Sequence, residues 1–553
     1  MINAQVSSPS PLPLRERDRV RGHFTVVTEK KMLTSFQLLI VPKFNICYNK
    51  TIWLLKKRFF CRFFPLHDEE SYLKKKIAEE LDYIFKPKSI AVIGASDTFR
   101  KWGYLMVERP LKTGFKGAIY PINPTKGEIL GLPTYPSVSA VPAAIDLAVI
   151  TTPAATVPGV LRDCIEKGIK GAVVISAGFA EVGEEGREIE QAMVEVARSG
   201  GIRLVGPNGM GIWSAAGQLS LCFPQAPKAG PIAFISQSGT FGVAMAQVAS
   251  DKGYGLSKFI SIGNQADLEV SDYLEYLADD EDTKVIVLYL EGLKDGRRFF
   301  TVARQVIKKK PIVVYKGGRS AAGARATLSH TASIAGSERI FDGVCKQIGL
   351  LRVDESFHLF EMAEALVDLP LADGNRVAVL GSGGQGVVGT DACSAVGLEL
   401  PELDADTASS ITALLPAHAP PAKNPIDFAG SSRTALQEAE IIEKLLKLDY
   451  IDGVISNVPV SPQIWDHSLK IDRNSDSLPE PIQVALDGAK VYASLPKKYN
   501  KPVICLRFIR LEHDIMEDIL KEGGIPIYDT PEQCARAMHA LVHYGRVRRK
   551  KDC

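Results

Sequence analysis

A single histidine, His330, stands in a run of small residues between positions 319 and 333. Residues 311–316 precede this run, and their β-branched and aromatic side chains predict a buried strand that ends at Gly317-Gly318. Because almost no bulky side chain anchors the run, we expect a mobile loop beyond the carboxyl end of the strand. Imidazole is nucleophilic near neutral pH, so a histidine on such a loop could accept a phosphoryl group and release it elsewhere. The alternative is a loop histidine that makes a structural hydrogen bond.

A carboxylate could assist this histidine. Glu291 follows a second predicted strand, residues 285–290, and falls in the same predicted domain as His330. At the carboxyl end of a strand it could orient the imidazole and stabilise its charged form. A solvated acid at a strand end is the alternative.

Three glycine-containing turns between a predicted strand and a predicted helix could bind anions. The free backbone N–H groups at a helix start and the helix dipole both favour a negative charge there. Glycines also occur at such turns simply to let helix and strand pack, so each turn has this second interpretation. The turns are Gly94-Ala95-Ser96, Ser236-Gln237-Ser238-Gly239-Thr240 and Gly381-Ser382-Gly383-Gly384-Gln385-Gly386.

The first turn lacks the full G-x-G-x-x-G dinucleotide fingerprint. The second predicted strand of this domain also does not end in an acidic residue that could bind a ribose hydroxyl. Residues 123–127 stand at that position instead. Lys126 in that stretch suits a phosphate group. A phosphate-rich nucleotide such as coenzyme A is therefore the better candidate for this turn.

Predicted strands and helices alternate from residue 81 onward, which favours an α/β fold with parallel sheets covered on both faces. The pattern restarts twice, so we expect a first domain over 81–224, a second over 228–370 and a third over 371–553. Ligands of such sheets bind at the carboxyl ends of the strands.

Composition excludes several classes of protein. Of the 553 residues, 46% are hydrophobic and 24% charged, as in soluble globular proteins. The first 65 residues carry 12 basic and 3 acidic side chains, so the rest of the chain is net acidic and gives no reason to expect a nucleic-acid partner. The nine cysteines are scattered without a C-x-x-C pair, which favours reduced thiols in a cytoplasm over disulfides or zinc. No histidine cluster has metal-ligand spacing.

Residues 1–80 lie outside the regular pattern. An over-extended reading frame, whose real start is near Met32 or later, explains them best; a disordered tail and a targeting or membrane-surface segment are the alternatives. The apolar run 32–41 is too short to span a bilayer.

From about residue 81 to its end, the chain resembles the α-type subunit of the NDP-forming acyl-CoA synthetases. These are the ADP-forming acetate–CoA ligases, which are related to succinyl-CoA synthetase. The most specific part of the resemblance is Ser329-His330-Thr331 followed by Gly336-Ser337. Further matching stretches are residues 94–96, 206–211, 236–239 and 383–386.

The resemblance implies a Rossmann-like CoA-binding domain followed by two flavodoxin-like domains of the succinyl-CoA synthetase type. His330 then matches the histidine that becomes phosphorylated, and Glu291 matches the acid that supports it. The turn 236–240 would hold phosphate, as would Gly383, Gly384, Gln385 and Gly386. Coenzyme A would contact Gly94, Ala95, Ser96, Lys126, Ile175, Ser176 and Ala177.

The implied reaction converts acyl-CoA, ADP and phosphate into an organic acid, CoA and ATP through an acyl phosphate and a phosphohistidine. No stretch of this chain matches the ATP-grasp module, so the resemblance implies a separate β subunit that binds ADP or ATP with Mg²⁺, in a hetero-tetramer. Two other functions compete: a CoA-binding regulatory protein without catalysis, which needs neither His330 nor Glu291, and a nicotinamide dehydrogenase, which the missing fingerprint disfavours.

Overall fold

The computed structural model describes residues 77–331, 337–430, 433–464, 471, 478–507, 509–511 and 514–550, and for residues 327–331 it describes the backbone alone. The interpretations of the amino-terminal extension therefore fall almost wholly outside the described residues. Residues 77–85 are helical and lead into the first sheet. Among the described helices, none is both long and apolar enough to cross a lipid bilayer.

The first sheet is built from parallel strands in the order β2-β1-β5-β6-β7. β1, β5 and β6 are buried along their whole length, as expected where helices cover both faces. The strands are β1 (Ser89–Ile93), β2 (Ala118–Ile122), β5 (Leu147–Ile150), β6 (Gly171–Val174) and β7 (Arg203–Val205), with a separate small hairpin of β3 (Glu128–Ile129) and β4 (Leu132–Pro133). The helices are α1 (Trp102–Thr113), α2 (Val157–Lys167) and α3 (Glu184–Ser199), with 3-10 turns at Ala154–Thr156 and Ala180–Val182.

The second sheet has seven strands in the order β14-β13-β12-β10-β11-β8-β9, of which β8 runs antiparallel to β11. Its strands are β8 (Ile212–Ser214), β9 (Leu219–Ser220), β10 (Ala229–Ser236), β11 (Leu256–Ser261), β12 (Val285–Leu290), β13 (Ile312–Lys316) and β14 (Leu351–Val353). Its helices are α4 (Gly239–Asp251), α5 (Val270–Ala278), α6 (Gly296–Val306), α7 (Ala321–Thr331), α8 (Glu338–Ile348) and α9 (His358–Asp368).

The third sheet is parallel and has the order β16-β15-β17-β18-β19. Its strands are β15 (Val377–Gly381), β16 (Ile426–Asp427), β17 (Gly453–Asn457), β18 (Val503–Leu506) and β19 (Ile527–Tyr528). Its helices are α10 (Gly384–Ala395), α11 (Ala405–Thr412), α12 (Ala435–Leu446), α13 (Glu480–Tyr499), α14 (Ile515–Glu522) and α15 (Pro531–Arg549), with a 3-10 turn at Pro462–Ile464.

The parallel strands of all three sheets share one connectivity. Taken in chain order, each set is arranged 2-1-3-4-5, which is the doubly wound order of flavodoxin-like folds. This confirms the predicted α/β class with parallel sheets. In such a sheet the chain leaves the first strand in one direction and the third strand in the other, which opens a crevice at their carboxyl ends.

Two features differ from the expectations. Strands β8 and β9 precede residue 224 in the chain, yet they extend the second sheet, because Ile212 and Trp213 are buried against β11. The second difference concerns the mobile loop expected around His330. Residues 321–331 form helix α7 instead. Four of its first six residues are alanine, the residue with the highest intrinsic helix propensity, so the small side chains of this run are compatible with a helix as well as with a loop.

Candidate functional site

Gln237 fixes the second predicted anion-binding turn, residues 236–240, which we call the phosphate turn, against the end of β12. Its side chain is buried, and its Oε1 accepts hydrogen bonds from the backbone N–H groups of Glu291 (2.8 Å) and Gly292 (3.0 Å). Its own backbone N–H donates to the Tyr289 carbonyl at 3.0 Å. The structure therefore brings the predicted turn 236–240 and Glu291 together at the carboxyl edge of the second sheet.

The turn presents the start of α4 to this edge. The side chain of the N-cap residue, Ser238, makes no capping hydrogen bond, so it leaves the first-turn N–H groups of α4 available to an anion. The Ser236 hydroxyl donates to the Ser238 carbonyl at 2.6 Å and so shapes the turn from within, while Thr240 is exposed. Gly239 is required sterically, because a Cβ atom there would lie 2.5 Å from Met210 Cγ.

Glu291 is 7% exposed, and only one of its two carboxylate oxygens has a hydrogen-bond partner among the described residues. Its Oε1 accepts a hydrogen bond from the Tyr289 hydroxyl at 3.3 Å, whereas its buried Oε2 has no hydrogen-bond partner among the described residues. Burial, together with the Glu291 carboxylate, raises the pKa of Tyr289, so this hydroxyl stays a donor. An unpaired buried carboxylate oxygen is costly, and an imidazole N–H would satisfy it.

His330 is joined to this edge through β13. The chain leaves the strand at Gly317, where a Cβ atom would lie 3.0 Å from the Tyr289 hydroxyl and 3.5 Å from Glu291 Cγ. The Lys316 ammonium donates to the carbonyls of Glu291 (2.6 Å) and Gly317 (2.7 Å). Helix α7 then begins four residues beyond Gly317 and carries the His330 backbone. A contact between the His330 imidazole and Glu291 stays a prediction.

The predicted CoA-binding residues meet at the carboxyl edge of the first sheet. Gly94 has a φ of +87°, and a Cβ atom there would lie 2.8 Å from Thr151 Oγ1, so only glycine fits. The Asn123 amide donates to the Ala95 carbonyl at 2.8 Å, which ties the loop after β2 to the first turn. The Ser96 hydroxyl accepts a hydrogen bond from the Thr98 N–H at 3.0 Å.

Lys126 has a partner that the sequence did not indicate. Its ammonium lies 2.7 Å from Asp97 Oδ2, and both side chains are about half exposed. The hydrogen bond from Lys126 lowers the pKa of Asp97. The lysine is thus held over the Gly94 turn, where an incoming phosphate would compete with Asp97 for it.

Residues 175–177 lie at the end of the neighbouring strand β6. Ile175 is buried, the Ser176 hydroxyl donates to the Thr152 carbonyl at the end of β5, and Ala177 is exposed. The Ser176 carbonyl accepts a hydrogen bond from the Asn208 N–H at 2.9 Å. Asn208 also donates through its side chain to Asn264 Oδ1 at 3.3 Å, which links this edge to the loop after β11.

A cleft of about 620 Å³ lies between α3 and the ends of β10, β11 and β12. Its lining includes Gln237 of the phosphate turn together with Gly292, Asn264 and Lys294. The Asn264 amide donates to Glu181 (2.6 Å) and Glu190 (2.9 Å), so this wall is rigidly held. The sequence did not single out Asn264 or Lys294, because neither belongs to a glycine turn or stands directly at a strand end.

The third turn, at the start of α10, already contacts a carboxylate. The Gly383 N–H donates to Asp427 Oδ1 at 2.9 Å, and this bond, followed by one from the Ala429 N–H, lowers the pKa of Asp427. Gln385 Oε1 accepts a hydrogen bond from the Asn457 amide at 3.2 Å. These contacts tie the turn to the third sheet, and a phosphate-binding role for residues 383–386 stays a prediction. Within the described part of the chain, no cluster of three or more potential ligands could hold a metal ion.

The comparison with protein families agrees with this layout. Residues 88–215 match the model of a CoA binding domain, and residues 229–366 match that of a succinyl-CoA ligase like flavodoxin domain. The first match contains the Gly94, Lys126 and Ser176 positions. The second contains the phosphate turn, Glu291 and His330.

Individual relatives match along most of the chain. The chain is 38% identical to the acetate–CoA ligase [ADP-forming] II subunit alpha of Pyrococcus furiosus, over 84% of this chain and 98% of that one. It is 35% identical to the 4-hydroxybutyrate–CoA ligase [ADP-forming] of Nitrosopumilus maritimus, over 84% of this chain and 64% of that protein. The solved dinucleotide-forming acetyl-coenzyme A synthetase 1 of Ca. Korarchaeum cryptofilum, in complex with phosphate and ADP, superposes with a TM-score of 0.73 and 36% identity, covering 85% of this chain and 97% of that one. These likenesses confirm the resemblance seen in the motifs, and the chain belongs to the family of ADP-forming acetate–CoA ligase alpha subunits.

Proposed function

We propose that this chain is the alpha subunit of an ADP-forming acyl-CoA synthetase, which converts acyl-CoA, ADP and phosphate into a small organic acid, CoA and ATP. The observation that carries the proposal is the buried Oε2 of Glu291, which has no partner among the described residues, on a residue that Gln237 ties to the start of α4. An acid in this position can receive an imidazolium N–H while the helix start holds phosphate.

In the first step, a phosphate oxygen attacks the thioester carbonyl carbon of acyl-CoA. The new C–O bond forms, the C–S bond breaks, and CoA leaves as a thiolate that takes up a proton. The N–H groups at the start of α4 would hold the phosphate, and the Gln237 brace keeps this helix start fixed relative to Glu291. The first-sheet edge at Gly94, Lys126 and Ser176 would hold the CoA.

In the second step, an imidazole nitrogen of His330 attacks the phosphorus of the acyl phosphate. The N–P bond forms, the P–O bond to the acyl group breaks, and the free carboxylate leaves. The other ring nitrogen becomes positively charged, and Glu291 Oε2 would accept its N–H. In the third step, a β-phosphate oxygen of ADP attacks the same phosphorus, the N–P bond breaks, and ATP leaves with the histidine restored.

The third step requires a partner. The two acetate–CoA ligase alpha subunits of Pyrococcus furiosus are matched over 98% and 99% of their length, whereas the match covers 64% of the Methanocaldococcus jannaschii acetate–CoA ligase, which is not named as a subunit. We therefore infer a separate β subunit with an ATP-grasp module for ADP and Mg²⁺, assembled with this chain in a hetero-tetramer. A cytoplasmic location fits the six described cysteines, all of which are buried free thiols.

The test is phosphate labelling of the purified chain with acetyl-CoA and radioactive phosphate. We expect acid-labile label in the parent and in the control His418→Asn, which removes an exposed histidine, and none in His330→Asn. Glu291→Gln is expected to reduce the rate of labelling at least about tenfold, since it removes a charge that stabilises the imidazolium. Addition of ADP with the β subunit should discharge the label.

A second outcome would support the alternative function. In that outcome the chain binds CoA, but neither the parent protein nor any variant becomes labelled, whether or not the β subunit is present. The chain is then a CoA-binding regulatory protein. A label that persists in His330→Asn would also contradict the proposed mechanism.

A further inference from the structure

The segment that carries His330 begins and ends at the same place. It leaves β13 at residue 317 and enters α8 at Glu338, the first residue of that helix. β13 pairs with β14 in parallel, and α8 precedes β14 directly. The two ends of the segment therefore meet at the carboxyl ends of two neighbouring strands.

Arg319 stands at the first of these ends and contacts the second. Its guanidinium donates to the Asp354 carbonyl at 2.6 Å and lies 2.7 Å from Asp354 Oδ1, just after β14. Its Nε lies 3.7 Å from Glu338 Oε1. One side chain thus bridges the start of the segment, its end and the adjoining strand.

Glu338 is held from the other side by the sheet. Its carboxylate accepts a hydrogen bond from Arg352 of β14, whose guanidinium also donates to Asp342 Oδ1 at 3.1 Å. The Arg352 side chain is only 13% exposed, so it is a firm support for Glu338. Arg319, Glu338, Arg352 and Asp354 form what we call the base clamp.

Lys316 connects the base clamp to Glu291. Lys316, the last residue of β13, donates to the Glu291 carbonyl, and its ammonium is attracted by both Glu338 and Glu291. The same strand end therefore connects the acid of the site to the base of the segment.

We infer that Arg319 and Glu338 are positioning residues for phosphoryl transfer, because they hold together the two ends of the segment that carries His330. This inference rests on the proposed function, in which His330 must reach both the phosphate turn and the nucleotide on the partner. A fixed base restricts the volume that the histidine samples and so raises its effective concentration at both places. Loss of the clamp widens that volume without removing any reacting group.

A merely structural role would have a different signature. Ion pairs that are about one-third exposed contribute little to folding stability, so removal of Arg319 should leave the melting temperature nearly unchanged. The rates of phosphoryl transfer should nevertheless fall. This separation of rate from stability is what the experiment measures.

The experiment uses the full chain with its β subunit and compares Arg319→Ala, Arg319→Lys and Glu338→Gln with the parent. The matched control is Arg339→Ala, which removes an exposed arginine from the first turn of α8, beside Glu338. Among the described residues, no ion pair is found for Arg339. Each protein is first labelled to the same extent with acetyl-CoA and radioactive phosphate, and discharge to ADP is then followed in a single turnover. Affinity for CoA and the melting temperature are measured alongside.

We expect Arg319→Ala and Glu338→Gln to slow discharge about five- to tenfold, with CoA affinity and melting temperature close to those of the parent. Arg319→Lys should recover part of the rate, and Arg339→Ala should match the parent. Discharge at the parental rate in both clamp variants overturns the inference, as does an equal loss in Arg339→Ala. If the parent itself takes no label, the proposed function fails first and the inference fails with it.

Discussion

Gln237 offers a direct test of how the phosphate turn is attached to Glu291. Its Oε1 is the acceptor for two backbone N–H groups, at 2.8 Å and 3.0 Å, and all three residues are buried. Gln237→Ala removes that acceptor and leaves both donors without it. At about 1–3 kcal/mol for each buried unsatisfied group, partly relieved by water entering from the adjoining cleft, the expected loss is about 2–4 kcal/mol.

The assay combines thermal unfolding with His330 labelling. For a cooperative unit about the size of residues 228–370, 2–4 kcal/mol corresponds to a melting temperature about 5–12 °C lower, and the labelling rate should fall because Glu291 and the turn are no longer fixed together. Gln247→Ala is the matched control, since Gln247 lies on the exposed face of α4 and donates only to Asp251 among the described residues. A Gln237→Ala protein that melts within a degree of the control and labels at the parental rate would refute the reasoning.

Three further substitutions have defined outcomes. Gly239→Ala should lower the labelling rate and the melting temperature, because the new Cβ atom would lie 2.5 Å from Met210 Cγ. Overpacking of this kind costs about 1–3 kcal/mol, and thermal unfolding followed by circular dichroism, together with labelling, measures the effect. Lys126→Met should weaken CoA binding several-fold in calorimetry, with a smaller loss at high salt, whereas an unchanged affinity would remove Lys126 from the site. Burial raises the pKa of Glu364 to about 7, so the folded chain holds this proton more tightly than the unfolded chain, and stability falls as the pH rises from about 4.5 to 7. Glu364→Gln should therefore raise the melting temperature at pH 8 more than at pH 5, and equal shifts at both pH values would contradict the assignment.

The sequence predicted strands such as β12 and β13 because they are short, strongly apolar and closed by glycine or a polar residue. The residues placed at strand ends, such as Gly94, Ser236 and Glu291, lie at strand ends in the structure. Parallel sheets bring such ends to one edge, which is why Glu291 and the turn 236–240 lie together. Local pattern and topology were sufficient for this part of the site.

Contacts between distant segments could not be predicted in the same way. Gln237 could be identified as part of a turn, but its role as acceptor for Glu291 depends on the register of β10 and β12. Lys126 was expected to face phosphate, and its pairing with Asp97 depends on how two loops meet. Helix α7 was missed because a run of alanine, serine and glycine is compatible with both a loop and a helix, and helix propensity decides the matter only weakly.

The three glycine turns look equivalent in the sequence, yet their surroundings separate them electrostatically. At the start of α10, the Gly383 N–H already donates to Asp427, so a phosphate there would meet a fixed negative charge and lose one donor. At the start of α4, the nearby carboxylate of Glu291 is oriented by Tyr289, and the turn itself is braced by a neutral amide, Gln237. A neutral brace leaves the helix dipole and the N–H groups free to act on an anion. We therefore expect the turn at residues 236–240 to be the better phosphate site of the two, and we expect the buried oxygen of Glu291 to stabilise the cation that forms when a histidine carries the phosphoryl group.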